Sequence, residues 1–83
     1  MKIRYFAWVR EKVGVDKETL DLPGSVTSVT HLIEFLKARD ERYATAFEEQ
    51  DAIRVALDQM HVEHDEPLGN VQEVAFFPPM TGG

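Results

Sequence analysis

From Val29 to Leu36 the apolar residues fall at helical spacing, whereas the other apolar runs mostly alternate at every second position. Val29, Leu32, Ile33 and Leu36 form one apolar stripe. Ser28 or Thr27 can cap its start, and Lys37 and Arg39 stand where cations favour a helix C-terminus. A single amphipathic helix must bury its stripe against something, and the alternating segments supply a sheet. In Lys2 to Val9, the residues Ile3, Tyr5, Ala7 and Val9 share one face while Lys2, Arg4, Phe6 and Trp8 share the other, which predicts a strand. After a loop through Gly14, Lys17 to Leu22 alternates again and Pro23-Gly24 closes it, so the two segments predict a hairpin.

Glu41 to Glu49 carries Tyr43 and Phe47 four residues apart and predicts a short second helical piece that plugs one end of the core. Ala52 to Leu57 places Ile53, Val55 and Leu57 on one face, and a brief strand or turn is expected at Met60 to Val62. Pro67-Leu68-Gly69-Asn70 breaks the chain before a last strand, Gln72 to Phe77. This order predicts an α+β chain of the β-grasp, or ubiquitin-like, kind: a mixed sheet of about five strands packed on one main helix. At 83 residues the chain is one small domain, residues 1–83, burying about 60% of its unfolded surface.

Composition removes several function classes. The 43% of hydrophobic residues against 29% charged is enough apolar surface for a globular fold. A net charge of -6 argues against nucleic acid, which calls for a clustered Lys/Arg surface. With no cysteine there is no disulfide, thiolate metal site or cysteine nucleophile, so any sulfur chemistry must bring its sulfur from outside the chain. No apolar run approaches a membrane span or a signal segment, and the expected compartment is cytoplasmic.

A sheet covered by a helix on one side is expected to turn polar on the other. Here Phe6 and Trp8 fall on the open side, joined by Phe77 if Val74 and Phe76 pack inward with Ile3 and Tyr5. Each ring can remove about 150–250 Å² from water, and a cluster beside the end of the last strand predicts a protein-binding face.

The last strand runs into Pro78-Pro79-Met80-Thr81-Gly82-Gly83. Two glycines let backbone enter a channel too narrow for a Cβ and leave a terminal carboxylate open to activation. The prolines favour an extended segment, and a flexible tail is expected over residues 78–83, with a reach of at most about 20 Å.

Glu73-Val74-Ala75-Phe76-Phe77-Pro78-Pro79-Met80-Thr81-Gly82-Gly83, with the opening Tyr5-Phe6-Ala7-Trp8-Val9-Arg10-Glu11, resembles the small, sulfur-carrying subunits of molybdopterin synthases. The resemblance implies that the Gly83 carboxylate is adenylated by an E1-like adenylyltransferase at the expense of ATP. Sulfur from a persulfide donor then gives a thiocarboxylate, which donates sulfur to cyclic pyranopterin monophosphate inside the large synthase subunit. Two such transfers build the dithiolene. It further implies a channel role for Gly82, Thr81, Met80, Pro79 and Pro78, an interface of Phe77, Phe6, Trp8 and His61, and no permanently bound cofactor. His61 stands where that pattern has an apolar interface residue. A terminal Gly-Gly is shared with ubiquitin-like protein modifiers and with sulfur carriers of thiamine or tRNA-thiolation type, so those classes remain alternatives.

Other candidates are weaker. His61 and His64 are spaced so that a strand or turn points them apart, and no metal site is expected. His31 reads as a partly exposed helix residue, and Glu48, Glu49 and Asp51 as a solvated acidic face. No nucleophile triad or phosphate-binding glycine loop is present, so the chain is expected to lack catalytic machinery of its own, and the resemblance implies a non-catalytic subunit of a sulfurtransferase.

Overall fold

The computed structural model describes residues 1–79. Its elements are β1 (Lys2–Tyr5), α1 (Ala7–Val13), β2 (Lys17–Thr19), α2 (Val29–Arg39), α3 (Glu41–Ala46), β3 (Arg54–Leu57), β4 (Met60–Val62) and β5 (Glu73–Phe77), with one 3-10 turn at Gln50–Ala52. The sheet order is β2-β1-β5-β3-β4. β5 runs parallel to β1 and antiparallel to β3, and the two outer pairs are antiparallel. This mixed five-stranded sheet with its helices on one side is a β-grasp fold, as the sequence predicts.

Alternation in the central strands sorts the two faces. Ile3, Tyr5, Val55, Val74 and Phe76 are buried beneath α2, whose own stripe of Val29, Leu32, Ile33 and Leu36 is fully buried. Ser28 caps α2 by accepting from the His31 N–H. The helix start is also tied to the loop before β5: the Thr30 hydroxyl and N–H both donate to the His64 carbonyl, and the Val29 N–H donates to that of Glu66. Tyr43, Ala46 and Phe47 close one end of the core from α3, and Phe47 meets Phe76 edge to face at 5.0 Å between ring centres. Asp40 caps α3; its carboxylate accepts the Arg42 N–H, which holds its pKa below the ordinary value.

The first strand is shorter than its alternation predicts. β1 ends at Tyr5, and Ala7 to Val13 is helix, not the second half of a strand and a loop. Tyr5, Val9 and Val13 are spaced by four, a multiple of the strand period and close to one helical turn, so the same apolar residues satisfy either periodicity. Val9 and Val13 are fully buried, reached from a helix. The switch occurs at Ala7, whose φ of 53° is left-handed and costs about 1–2 kcal/mol for a residue with a Cβ. Gly14 ends α1 at φ 96°, its N–H donating to the Arg10 carbonyl. A Cβ there would approach the Arg42 guanidinium to 3.3 Å.

β2 and α3 are also shorter than predicted, and the segment predicted as strand from Ala52 opens with the 3-10 turn. The β3–β4 hairpin turns on Asp58 and Gln59, both at positive φ, as a two-residue turn matched to strand twist requires. Asp58 justifies its place by accepting the N–H groups of Gln72 and Glu73, which anchors the entry to β5.

Glu18 joins the edge strand to the helices. Its Oε2 accepts the hydroxyls of Tyr5 at 2.8 Å and Tyr43 at 2.6 Å, and Arg39 lies 3.6 Å from Oε1. Burial first, and the Glu18 hydrogen bond second, push both tyrosine hydroxyls above their ordinary value of 10.0, Tyr5 far above it. The folded state therefore retains a proton that the unfolded chain releases above about pH 10. The stabilisation is complete below that pH and is lost as pH rises, by about 1.4 kcal/mol per unit for Tyr5. Between about pH 10 and about pH 11, where the unfolded tyrosine goes from half to almost fully ionised, the wild type is expected to lose about 1 kcal/mol more stability in urea unfolding than Tyr5→Phe. Equal slopes would remove Tyr5 from the linkage.

Candidate functional site

The open side of the sheet is built by the residues that alternate away from the core. Register places Arg54 opposite Phe77 and Ala56 opposite both Ala75 and His61. His61 and Phe77 therefore share this face, with ring centres 5.9 Å apart. Phe76, the neighbour of Phe77, is fully buried between Tyr5 and Phe47, so consecutive aromatic residues serve opposite faces of one strand.

Phe6 continues past the end of β1. Its N–H donates to the Phe76 carbonyl at 3.0 Å, extending the β1–β5 pairing by one residue, and its ring is 37% exposed under the Arg4 guanidinium at 5.1 Å. Trp8 is a correction. It lies on α1, partly buried against the core with the Lys12 ammonium 5.2 Å from its ring centre, and does not join the sheet face with Phe6. Once Ala7 turns left-handed, strand parity no longer says where the next side chain points.

Phe77, Pro78 and Pro79 are half-buried, so β5 delivers the chain from the edge of the aromatic face. Met80, Thr81, Gly82 and Gly83 lie outside the described residues.

The two histidines of the His61/His64 pair part company, as strand geometry predicts. His61 stands exposed on β4, while His64 Nε2 lies 2.7 Å from the Ile53 carbonyl. A carbonyl only accepts, so that nitrogen carries the proton. His31 is exposed beside the Thr27 hydroxyl, and Glu48, Glu49 and Asp51 are exposed. Among the described residues, no three His, Asp or Glu side chains are grouped to hold a metal, and no helix is long and apolar enough to cross a membrane.

A model described as the ThiS family matches residues 3–83, from the second residue of β1 through the terminal glycine. The chain belongs to the ThiS family. This ThiS-family chain is 39% identical over 83 residues to the molybdopterin synthase sulfur carrier subunit of Escherichia coli K12, covering 100% of this chain and 99% of that one. Among solved structures, a Pyrococcus furiosus protein assigned as molybdopterin converting factor subunit 1 superposes with a TM-score of 0.73 at 34% identity, covering 95% of each chain. SAMP1 of Haloferax volcanii, 24% identical, shares the fold with a TM-score of 0.72 over 100% of this chain and 98% of its own.

Proposed function

We propose that this chain is the sulfur carrier subunit of a molybdopterin synthase, working in the cytoplasm and lending no catalytic side chain of its own. The observation that carries the reading is the full-length similarity to such a carrier, with a family match that runs through Gly83. It is supported by the placement of an aromatic face at the point where β5 hands over to Pro78-Pro79.

In this reading the Gly83 carboxylate oxygen attacks the α-phosphorus of ATP in an E1-like adenylyltransferase, and pyrophosphate leaves. The terminal sulfur of a persulfide donor then attacks the acyl carbon and AMP leaves, because an acyl phosphate bears a far better leaving group than a carboxylate. A thiol cleaves the resulting S–S bond, is itself oxidised to a disulfide with the donor, and leaves the thiocarboxylate on Gly83. Inside the large synthase subunit that sulfur attacks a side-chain carbon of cyclic pyranopterin monophosphate, and the oxygen substituent of that carbon leaves as the new C–S bond forms. Hydrolysis of the acyl–sulfur bond returns the carboxylate and leaves the sulfur on the pterin, and a second carrier turn completes the dithiolene. Docking through Phe77, Phe6 and His61 holds the carrier while residues 78–83 reach at most about 20 Å into the neighbour.

Intact mass analysis of the protein recovered from its native host tests this directly. A fraction of molecules should carry sulfur in place of one oxygen, localised to the C-terminal peptide. A uniform carboxylate population, even with activating enzyme, ATP and sulfur donor supplied, would overturn the proposal; adducts on lysines would make the chain a protein modifier instead.

A further inference from the structure

The open sheet face carries charge of the opposite sign to the rest of the molecule. At its strand positions stand Lys2, Arg4, Lys17 and Arg54, all exposed, against the single carboxylate of Glu73. That leaves five cations and fourteen carboxylates for the remainder of a chain whose total is nine and fifteen. Among the described residues the ion pairs are Arg39 with Glu18 and Arg42 with Asp40, so none of the four face cations has a carboxylate of those residues within ion-pairing distance.

Their register sharpens the point. Arg4 lies directly opposite Lys17 across the β1–β2 ladder, and Arg54 directly opposite Phe77. Like charges opposed across a ladder destabilise a sheet, by an amount on the order of 0.2–1 kcal/mol. Fold stability alone does not call for that arrangement. The cations flank an apolar centre of Ala56, Ala75 and Phe77.

We propose that this face docks on a protein surface in which carboxylates ring an apolar pocket, and that the large synthase subunit presents that surface. The inference rests on the sulfur-carrier reading and adds the chemistry of the partner's rim. An extended polyanion is the poorer fit, because the strongly acidic remainder of the chain repels a phosphate lattice or an anionic membrane on approach. A local set of carboxylates acts within about 8 Å, the screening length at physiological salt, where the face cations dominate. Rim charges of this kind chiefly raise the association rate, while the aromatic centre sets the lifetime of the complex.

The test is stopped-flow association of the full-length chain with the large subunit across a salt series, comparing wild type with the Arg4→Gln/Lys17→Gln double variant. The wild-type association rate is expected to fall at least about tenfold from low to high salt. The double variant should start about tenfold lower at low salt and converge with wild type at high salt, with dissociation rates nearly equal. Tight binding whose association rate ignores both salt and the double substitution overturns the charge inference and leaves the sulfur-carrier reading intact. Failure to bind the large subunit under any condition overturns both. Salt-sensitive self-association that the double variant abolishes would assign the face to the acidic side of a second copy and overturn the inference as well.

Discussion

Deletion of Gly83 is expected to abolish sulfur transfer while leaving the fold and the affinity for the large subunit nearly unchanged. The deletion presents a carboxylate on Gly82 that falls one residue short, about 3.3–3.6 Å along an extended chain, of the atoms it must meet. Loss of reach on that scale removes the near-attack geometry on which intramolecular transfer depends. Gly82→Ala separates close approach from reach. It adds one methyl group, and in a channel that encloses the backbone it should lower single-turnover thiolation or transfer by about 100-fold or more, with docking affected far less. Both variants are to be followed by single-turnover sulfur transfer, with affinity measured in parallel. A fully active Gly83 deletion would show that the chemical handle is elsewhere.

Phe77→Asp and Phe76→Ala are expected to fail in different ways, although the two residues are adjacent. Phe77 is half-buried on the open face against His61, and a carboxylate there would be taken unpaired into an aromatic contact. Affinity for the large subunit should fall by about 30- to 1,000-fold, corresponding to roughly 2–4 kcal/mol, with little change in the melting curve. Phe76 is fully buried between Tyr5 and Phe47, and truncating it to alanine should remove about 3–5 kcal/mol of stability. That is a large share of the roughly 5–15 kcal/mol that holds a small domain together. If Phe77→Asp melts the protein while Phe76→Ala only weakens docking, the two faces of β5 have been exchanged.

Trp8 shows how far pattern reasoning reaches. The α2 stripe, the inward set of Ile3, Tyr5, Val74 and Phe76, and the outward Phe77 were all legible, because burial on one face imposes a period that a sequence displays without coordinates. The turn at Asp58-Gln59 carries no glycine, so its left-handed backbone had no local signal. The α1 helix was hidden for a related reason. Tyr5, Val9 and Val13 obey both strand and helix spacing, and only the left-handed step at Ala7 decides between them.

Sequence by itself determined the fold class, the alternation of the last strand and the glycine-ended tail on which the proposed chemistry rests, since each follows from periodicity or from a residue's own covalent geometry. Tertiary structure decided the rest. It moved Trp8 off the sheet face, gathered Tyr5, Tyr43 and Arg39 on Glu18, and set Arg4 against Lys17. Those outcomes depend on which strands become neighbours and in what register, and residues 13 to 25 positions apart meet only after the sheet has closed over its helix.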